Sequence, residues 1–590
     1  MAGKHTFVNA LEQNAKNLPG ALAVVQGSRY LTFQDLNAQA NRIAHGLLDL
    51  NIQRGDSIAL CLPNSIPFIE VTYGIWKVAG VSVPLNYRFK DEELINVLNN
   101  SDSVGAIVEE EFIDSFLRIR SRLPKLKFII QVGSNDIKND SILQYDHWLS
   151  SQSKNKPGLS WPEQSDDDIG YNIYTGGTTG MPKGISYNEK TMIRTTLEGF
   201  SGSVPTILRQ ISKAKDSTLK PVPGGRFLKS KIGRRLIGAN ATASILTWIL
   251  LHMPTAYRSG PAKKMAGKLR ILIVSPMMHS LGWVLTFTLS KFGATIFLLE
   301  GKSFQPEEAL KVIEQNQIAI LGAIGDATLK PVLAELDRQA YDLSSLQGIF
   351  ASGMPTSAEV KQRLLQEYMP NCRFMDFIGS SELTGMAFRF YTKHDNEFSK
   401  SSFPVNDRIM ILDPVEGKPV TPGEVGELAR RTDNLPNGYY KDPEKTKKLI
   451  RYYHGQSWLM SGDLAKLDND GTFHFVGRGS ECINTGGEKV YPEEVESILH
   501  KIPGVKMAGI TATPDEKWGE VVTAVIQIHE GHELNEQQVI DYTLDKISGY
   551  KRPRRVIFVQ QFPITLIGKP HYRALRELAS QTTSTQEETA

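Results

Sequence analysis

Short apolar runs alternate with helix-like segments along this chain, and that alternation restricts its fold more than any other feature. "SIALCLP" (57–63) is followed by "NSIPFIEVTYGIWKVAG", with Asn64 or Ser65 as cap, and then by "VSVPLN". This reads as a β-α-β unit. A second series runs through "LRILIVSP" (269–276), a helical stretch to Gly293, "TIFLLE" (295–300), "PEEALKVIEQNQ" (306–317), "IAILGAI" (318–324) and "LQGIFASG" (346–353). Strands alternating with helices predict an α/β fold of doubly wound parallel sheets, in which ligands gather where strands give way to loops. At 590 residues the chain is too long for one core and should form several domains.

One such strand, "IGYNIYT" (169–175), leads into "YTGGTTGMPKG" (174–184). Glycine and proline at this density support neither helix nor strand. Exposed backbone N–H groups, the Thr178 and Thr179 hydroxyls and Lys183 suit a loop that holds phosphate oxygens. The P-loop does not fit, because Lys183 lies between Pro182 and Gly184 and no helix-like start follows.

Composition narrows the class further. Cys61, Cys372 and Cys482 are far apart and form no zinc-ligand spacing, which fits a reducing cytosol rather than a disulfide framework. No targeting segment is visible, so a cytoplasmic location is expected. The formal charge of +3 conceals a basic block: between Thr206 and Arg270 fourteen Lys/Arg stand against Asp216 alone. Inside that block, 236–257 carries no formal charge. It reads either as a buried helix or as an interfacial one in peripheral contact with anionic membrane. Its polar residues and Pro254 make it a poor transmembrane span. Nucleic-acid binding is not indicated, since the basic residues are not interleaved with aromatics. Oligomeric state is left open, a homodimer included.

The glycine loop and four further stretches, in order, resemble the adenylate-forming superfamily of acyl-CoA synthetases, luciferases and peptide-synthetase adenylation domains. These are "PMMHSLGW" (276–283), "FIGSSELTG" (377–385), the long segment from "SGDLAKLDNDG" to "INTGGEKVYPEEVE" (461–496), and "PITLIGKP" (563–570). The resemblance implies a large N-terminal domain, 1–478, with doubly wound sheets and a β-barrel-like subdomain. A small mobile α+β domain would follow from 479 to 590. The 206–270 block looks like an insertion.

The resemblance also implies site roles. Thr175, Gly176, Gly177, Thr178, Thr179, Gly180 and Lys183 would hold the ATP phosphates, with Thr178 also catalytic. Asp376, Gly379, Ser380 and Ser381 would surround the adenine. Asp463 and Arg478 would take the ribose, and Glu382 would hold Mg²⁺. His279 would stand beside the acyl group. Lys569 would orient carboxylate and phosphate. Gly486 and Gly487 would admit coenzyme A after a turn at the hinge residue Glu481. The chemistry is sensible unaided, since a carboxylate attacking the α-phosphate of ATP needs its charge neutralised by preorganised cations and a metal.

Departures from the pattern are few. Ile378 stands where an aromatic residue often precedes Gly379, which leaves Phe377 as the alternative adenine stacker. Ser280 stands where peptide-synthetase domains place an amine-binding Asp. Little chain follows Lys569, so a carrier domain is not expected. The expected activity is therefore ATP-dependent acyl-CoA synthesis on a medium- or long-chain fatty acid or a steroid-derived acid. The alternatives are a different second step or a catalytically silent nucleotide- or lipid-binding relative.

Overall fold

The computed structural model describes residues 6–134, 141–175, 182–192, 268–301, 303–353, 356–383, 387–396, 398, 402–405, 408–413, 417–431, 437–478, 483–563 and 570–587. The 236–257 stretch, the glycine-rich positions 176–181, Glu481 and Lys569 lie outside them.

Among the described residues, two eight-stranded sheets make up most of the large domain. In the first, Ser57–Cys61 lies between Val81–Pro84 and Ser103–Glu109, parallel to both. Ile169–Thr175 extends the sheet beside Val81–Pro84 and turns back antiparallel into Lys183–Asn188, with Thr175 opposite Lys183. In the second, Arg270–Ile273 lies between Thr295–Leu298 and Ile320–Ala323, and Gly348–Ala351 and Arg373–Ile378 continue the parallel order. The doubly wound α/β expectation is borne out. Each predicted strand of the two series forms, and Ser65 rather than Asn64 caps the helix Ile66–Lys77, its hydroxyl accepting from the N–H of Phe68.

A six-stranded antiparallel sheet occupies the place of the expected barrel-like subdomain, centred on Val425–Arg431 and Gln456–Leu467. The last sheet starts at Ile483–Thr485 and is built on the long hairpin Val505–Asp515/Gly519–Ile528. Helices Pro492–Leu499 and Tyr572–Glu587 pack on that hairpin, giving a smaller α+β unit.

Between the two large sheets sits an aromatic core that positions the site. Helix Ile66–Lys77 is buried along its whole length. Trp283 stacks on Tyr171 at 4.2 Å and meets Trp76 edge-on at 5.4 Å; Phe287 lies 5.0 Å from Trp76. Trp283 and Phe287 are four apart on helix Ser280–Lys291, so one face of this helix is fixed in the core. A Cβ on Gly282 would come within 2.4 Å of the Ser275 carbonyl oxygen, so the helix start can approach the loop after Arg270–Ile273 only with glycine there.

Complete burial of Ile66–Lys77 also traps Glu70, whose Oε2 accepts the Tyr145 hydroxyl at 3.0 Å. Burial pushes this carboxyl up to about 7. With its folded value raised, its contribution to stability is full below the unfolded value and is lost as pH rises through about 7. Glu70→Gln should therefore flatten the fall in melting temperature between about pH 5 and about pH 8; parallel melting curves for both proteins would show Glu70 is not responsible.

Candidate active site

A cavity of about 420 Å³ opens where the strand ends of the second large sheet meet the small domain. Its lining brings Gly487, Glu488, Lys489 and Tyr550 of the small domain together with Asn86, Phe89, His279, Gly379, Ser380 and Ser381, and with apolar residues that include Leu285, Leu289, Phe292, Met375 and Phe377. Phe377 also leans on Phe388, with ring centroids 4.9 Å apart.

Strand alternation explains one placement that differs from the sequence reading. Met375 and Phe377 line the cavity, so Asp376 points to the opposite face. There its Oδ2 accepts from Lys361 Nζ at 2.7 Å, and this lysine is fully buried. Burial raises the Asp376 carboxyl despite the lysine. Asp376 thus holds the helix at 358–363 to the sheet, and the structure does not bring it into the cavity.

A charged corner beside strand Lys183–Asn188 is built from two distant segments. Strand Gly438–Tyr439 pairs with Lys183–Asn188, with Tyr439 opposite Ile185, which carries "NGYYKDPEK" to the glycine-rich hairpin. Lys183 Nζ lies 3.3 Å from Asp442, the cap of helix Pro443–Lys448. Tyr439 donates its hydroxyl to Glu382 Oε1 at 2.9 Å, and Lys445 Nζ sits 4.2 Å over the Tyr439 ring. Burial, with Lys183 adding to it, pushes the Lys445 ammonium down to about 8. In the sequence nothing marks Tyr439, Asp442 and Lys445 as site residues, since "YYKDPEKTKK" (439–448) looks like an exposed helix start with ordinary surface charges.

Glu382 is buried, and among the described residues no group of three or more His, Cys, Asp or Glu could hold a metal ion. A buried carboxylate held by the Tyr439 hydroxyl, with the Lys445 ammonium nearby, is a hard oxygen donor that could serve Mg²⁺ carried in on a polyphosphate. Asp463, buried on Gln456–Leu467, stands opposite Arg478 in the neighbouring strand, apart from the residues lining the cavity.

The small domain docks through its own glycines. Gly486 and Gly487 have φ of 58° and 87°, and a Cβ on Gly487 would come 2.6 Å from Ile324 Cγ2, so only glycine allows this approach. Asn484 Nδ2 donates to the Gly353 carbonyl at 2.6 Å. Glu488 bridges the domains, 2.8 Å from Arg88 and 3.3 Å from His279. Its burial alone would raise the carboxyl, but His279 and Arg88 hold it below the usual carboxylate value. A second bridge is fully buried: Lys551 pairs with Glu494 of its own domain and Glu93 of the large one, and Ser548 donates to Glu93 at 2.7 Å. On either side of Lys569, Phe562 packs with Val525 and Leu575, and His571 N donates to the Pro563 carbonyl at 3.0 Å. None of these residues lines the cavity.

A two-domain α/β enzyme with its cavity under a docked glycine loop is the architecture of adenylate-forming ligases, and the comparisons with known proteins agree. The chain belongs to the AMP-binding enzyme family, which it matches over residues 11–223 and 239–440, with the AMP-binding enzyme C-terminal domain matched over 494–569. The break at 224–238 falls inside the basic block and is narrower than it. The chain is 30% identical over 94% of its length to the 3-oxocholest-4-en-26-oate–CoA ligase of Rhodococcus rhodochrous, covering 92% of that relative. It is 30% identical over 98% of its length to the medium/long-chain-fatty-acid–CoA/3-oxocholest-4-en-26-oate–CoA ligase of Mycobacterium tuberculosis, covering 96% of it. Among solved structures, the o-succinylbenzoate CoA synthetase of Bacillus subtilis superposes with a TM-score of 0.72 at 20% identity, over 96% of this chain and 97% of that one. That likeness speaks to the fold.

Proposed function

We propose that this chain activates a medium- or long-chain fatty acid, or the side-chain carboxylate of a steroid acid, and transfers it to coenzyme A. The reaction is that of an ATP-dependent acyl-CoA synthetase. One observation carries the substrate assignment: a single cavity is lined both by Gly487 of the docked loop and His279 and by the apolar side chains of Leu285, Leu289, Phe292, Met375 and Phe377.

In the first step a carboxylate oxygen attacks the α-phosphorus, forming the acyl-adenylate and expelling pyrophosphate. Thr175 to Gly180, Lys183 and Lys445 would hold the phosphates. Glu382, oriented by Tyr439, would hold Mg²⁺, which neutralises phosphate charge when bound. Gly379, Ser380 and Ser381 would border the nucleotide, Asp463 and Arg478 its ribose. Lys569 would serve this step. In the second step the sulfur of coenzyme A attacks the acyl carbon and AMP leaves. Gly486 and Gly487 would line the thiol's path in the docked arrangement, and Glu481 would be the hinge.

Pyrophosphate release on mixing with ATP, Mg²⁺ and a panel of fatty and steroid acids tests the reading, with acyl-CoA identified by mass. Pyrophosphate release that ignores the acid supplied would overturn it. Lys445→Met should raise the KM for ATP roughly tenfold, as expected for losing one charge-assisted phosphate contact. In the unmodified protein the same KM should rise as pH passes about 8 and the ammonium loses its proton. An ATP dependence identical to that of the unmodified protein would remove Lys445 from the phosphate site.

No helix among the described residues is long and apolar enough to cross a membrane. Peripheral attachment through the 206–270 block, which would place the enzyme where apolar acids partition, is tested by flotation with anionic and neutral vesicles. Attachment requires binding to the anionic ones alone, weakening with salt.

A further inference from the structure

The turn that closes the charged corner has a strained backbone, and the residue that holds it comes from a distant part of the chain. The Asp442 N–H donates to the Tyr439 carbonyl at 3.1 Å, so Tyr439 to Asp442 form a tight turn. Lys441, its third residue, has φ of 58°, the left-handed conformation that favours glycine at this position of a turn. A lysine stays there only where its surroundings over-determine it. One carboxylate supplies that restraint. Asp102 Oδ2 lies 2.6 Å from Lys441 Nζ and accepts the Tyr440 hydroxyl at 3.0 Å, so both central side chains of the turn end on a single oxygen. The other oxygen, Oδ1, pairs with Lys125 at 2.5 Å.

Asp102 is itself well anchored. It follows helix Asp91–Asn100 and has φ of 54°, which aspartate tolerates better than most residues. Two residues earlier, Asn100 Oδ1 accepts the Tyr174 hydroxyl at 2.7 Å, so the end of this helix also ties down the strand that leads to the glycine-rich loop. The turn in its grip carries three contacts of the corner. Asp442 meets Lys183, the Tyr439 hydroxyl reaches Glu382, and Lys445 lies over the Tyr439 ring. Half-exposed ion pairs in general contribute little to stability. This one differs because it holds a backbone conformation on which those contacts depend.

We infer that Asp102 is a positioning residue for ATP: by fixing the left-handed turn at Lys441 it sets Lys183, Lys445 and the Tyr439–Glu382 pair in one corner. This rests on the reading that Lys183 and Lys445 hold the phosphates. Asp102, Tyr440 and Lys441 are absent from the cavity lining, so the effect passes through the turn and not through contact with the acid.

The test is the KM for ATP in acid-dependent pyrophosphate release, with a saturating medium-chain fatty acid. Asp102→Gly removes the carboxylate without straining its own left-handed backbone. It should raise this KM roughly tenfold, the loss expected for Lys445→Met, while the KM values for the acid and for coenzyme A stay within about twofold and kcat is largely kept. Asp102→Asn retains an oxygen for the Tyr440 hydroxyl and should raise it roughly threefold. Lys125→Met leaves the turn's two contacts in place and should change none of the three constants. Tyr440→Phe added to Asp102→Gly should have no further effect, since that contact is already gone. If Asp102→Gly does not fold, the Asp102→Asn value decides. An unchanged KM for ATP in the Asp102 variants, with Lys445→Met raising it, would overturn the role of Asp102. So would a fall in kcat with all three KM values unaltered, which marks a merely structural residue. An unchanged KM in Lys445→Met as well would overturn the phosphate reading and this inference with it.

Discussion

Lys569→Ala is expected to slow acyl-adenylate formation by about a hundredfold or more, the scale for losing one preorganised electrostatic donor, while thioester formation from supplied acyl-adenylate continues. The separation follows from the roles proposed above, in which Lys569 serves the first step and the loop at Gly486 and Gly487 serves the second. Gly487, Glu488 and Lys489 line the cavity. In that proposal a lysine that serves the first step would be delivered by a different arrangement of the domains. The measurement is single-turnover kinetics of each half-reaction. Equal slowing of both steps would show that Lys569 supports the fold or the docked state instead.

Lys551→Met should have the complementary effect. Lys551 is fully buried between Glu93 and Glu494, and removing it leaves two carboxylates facing each other across the domain interface. Breaking a buried ionic group in this way costs roughly 3–5 kcal/mol. Part of that cost falls on the small domain itself, and the remainder lowers the population of the docked arrangement. Thioester formation should fall by about a hundredfold with adenylation largely preserved, since each 1.4 kcal/mol is a factor of ten. Loss of both half-reactions with a lowered melting temperature would instead show that Lys551 holds the small domain's core.

The same cluster predicts a pH dependence. Burial pushes Glu494 up to about 7, against the pull of Lys551. A carboxyl raised in the docked state favours that state while protonated, and the benefit disappears as pH rises through about 7. An interdomain fluorescence pair should therefore report less docking above neutrality, and Glu494→Gln should abolish the change. Turnover is the poorer probe, because the thiol of coenzyme A gains reactivity over the neighbouring pH range.

The β-α-β unit at 57–84, the strand series from 270 to 351 and the strand that leads into the glycine loop were all readable from the chain, because each depends on local periodicity and on where glycine and proline interrupt it, whereas the returning strand Lys183–Asn188 was not. The ordered motifs determined the family, since five short patterns in sequence do not arise from packing alone. Three-dimensional facts were out of reach for physical reasons. Helix Ser280–Lys291 is apolar nearly all round, so its pattern could not say which face meets the core through Trp283 and which meets the cavity at Leu285. Asp376 immediately precedes the 377–385 motif but points away from the cavity, and the partner that explains it, Lys361, is on a neighbouring helix. Lys445 and Lys551 look in sequence like any surface lysine. What gives them their character is burial beside charges from segments more than fifty residues away, Lys183 for the one and Glu93 and Glu494 for the other. The sequence by itself determined the class of chemistry and the strands that carry it. Only the tertiary structure decided which charges meet, because desolvation and long-range electrostatic pairing come into being when distant segments close on one another.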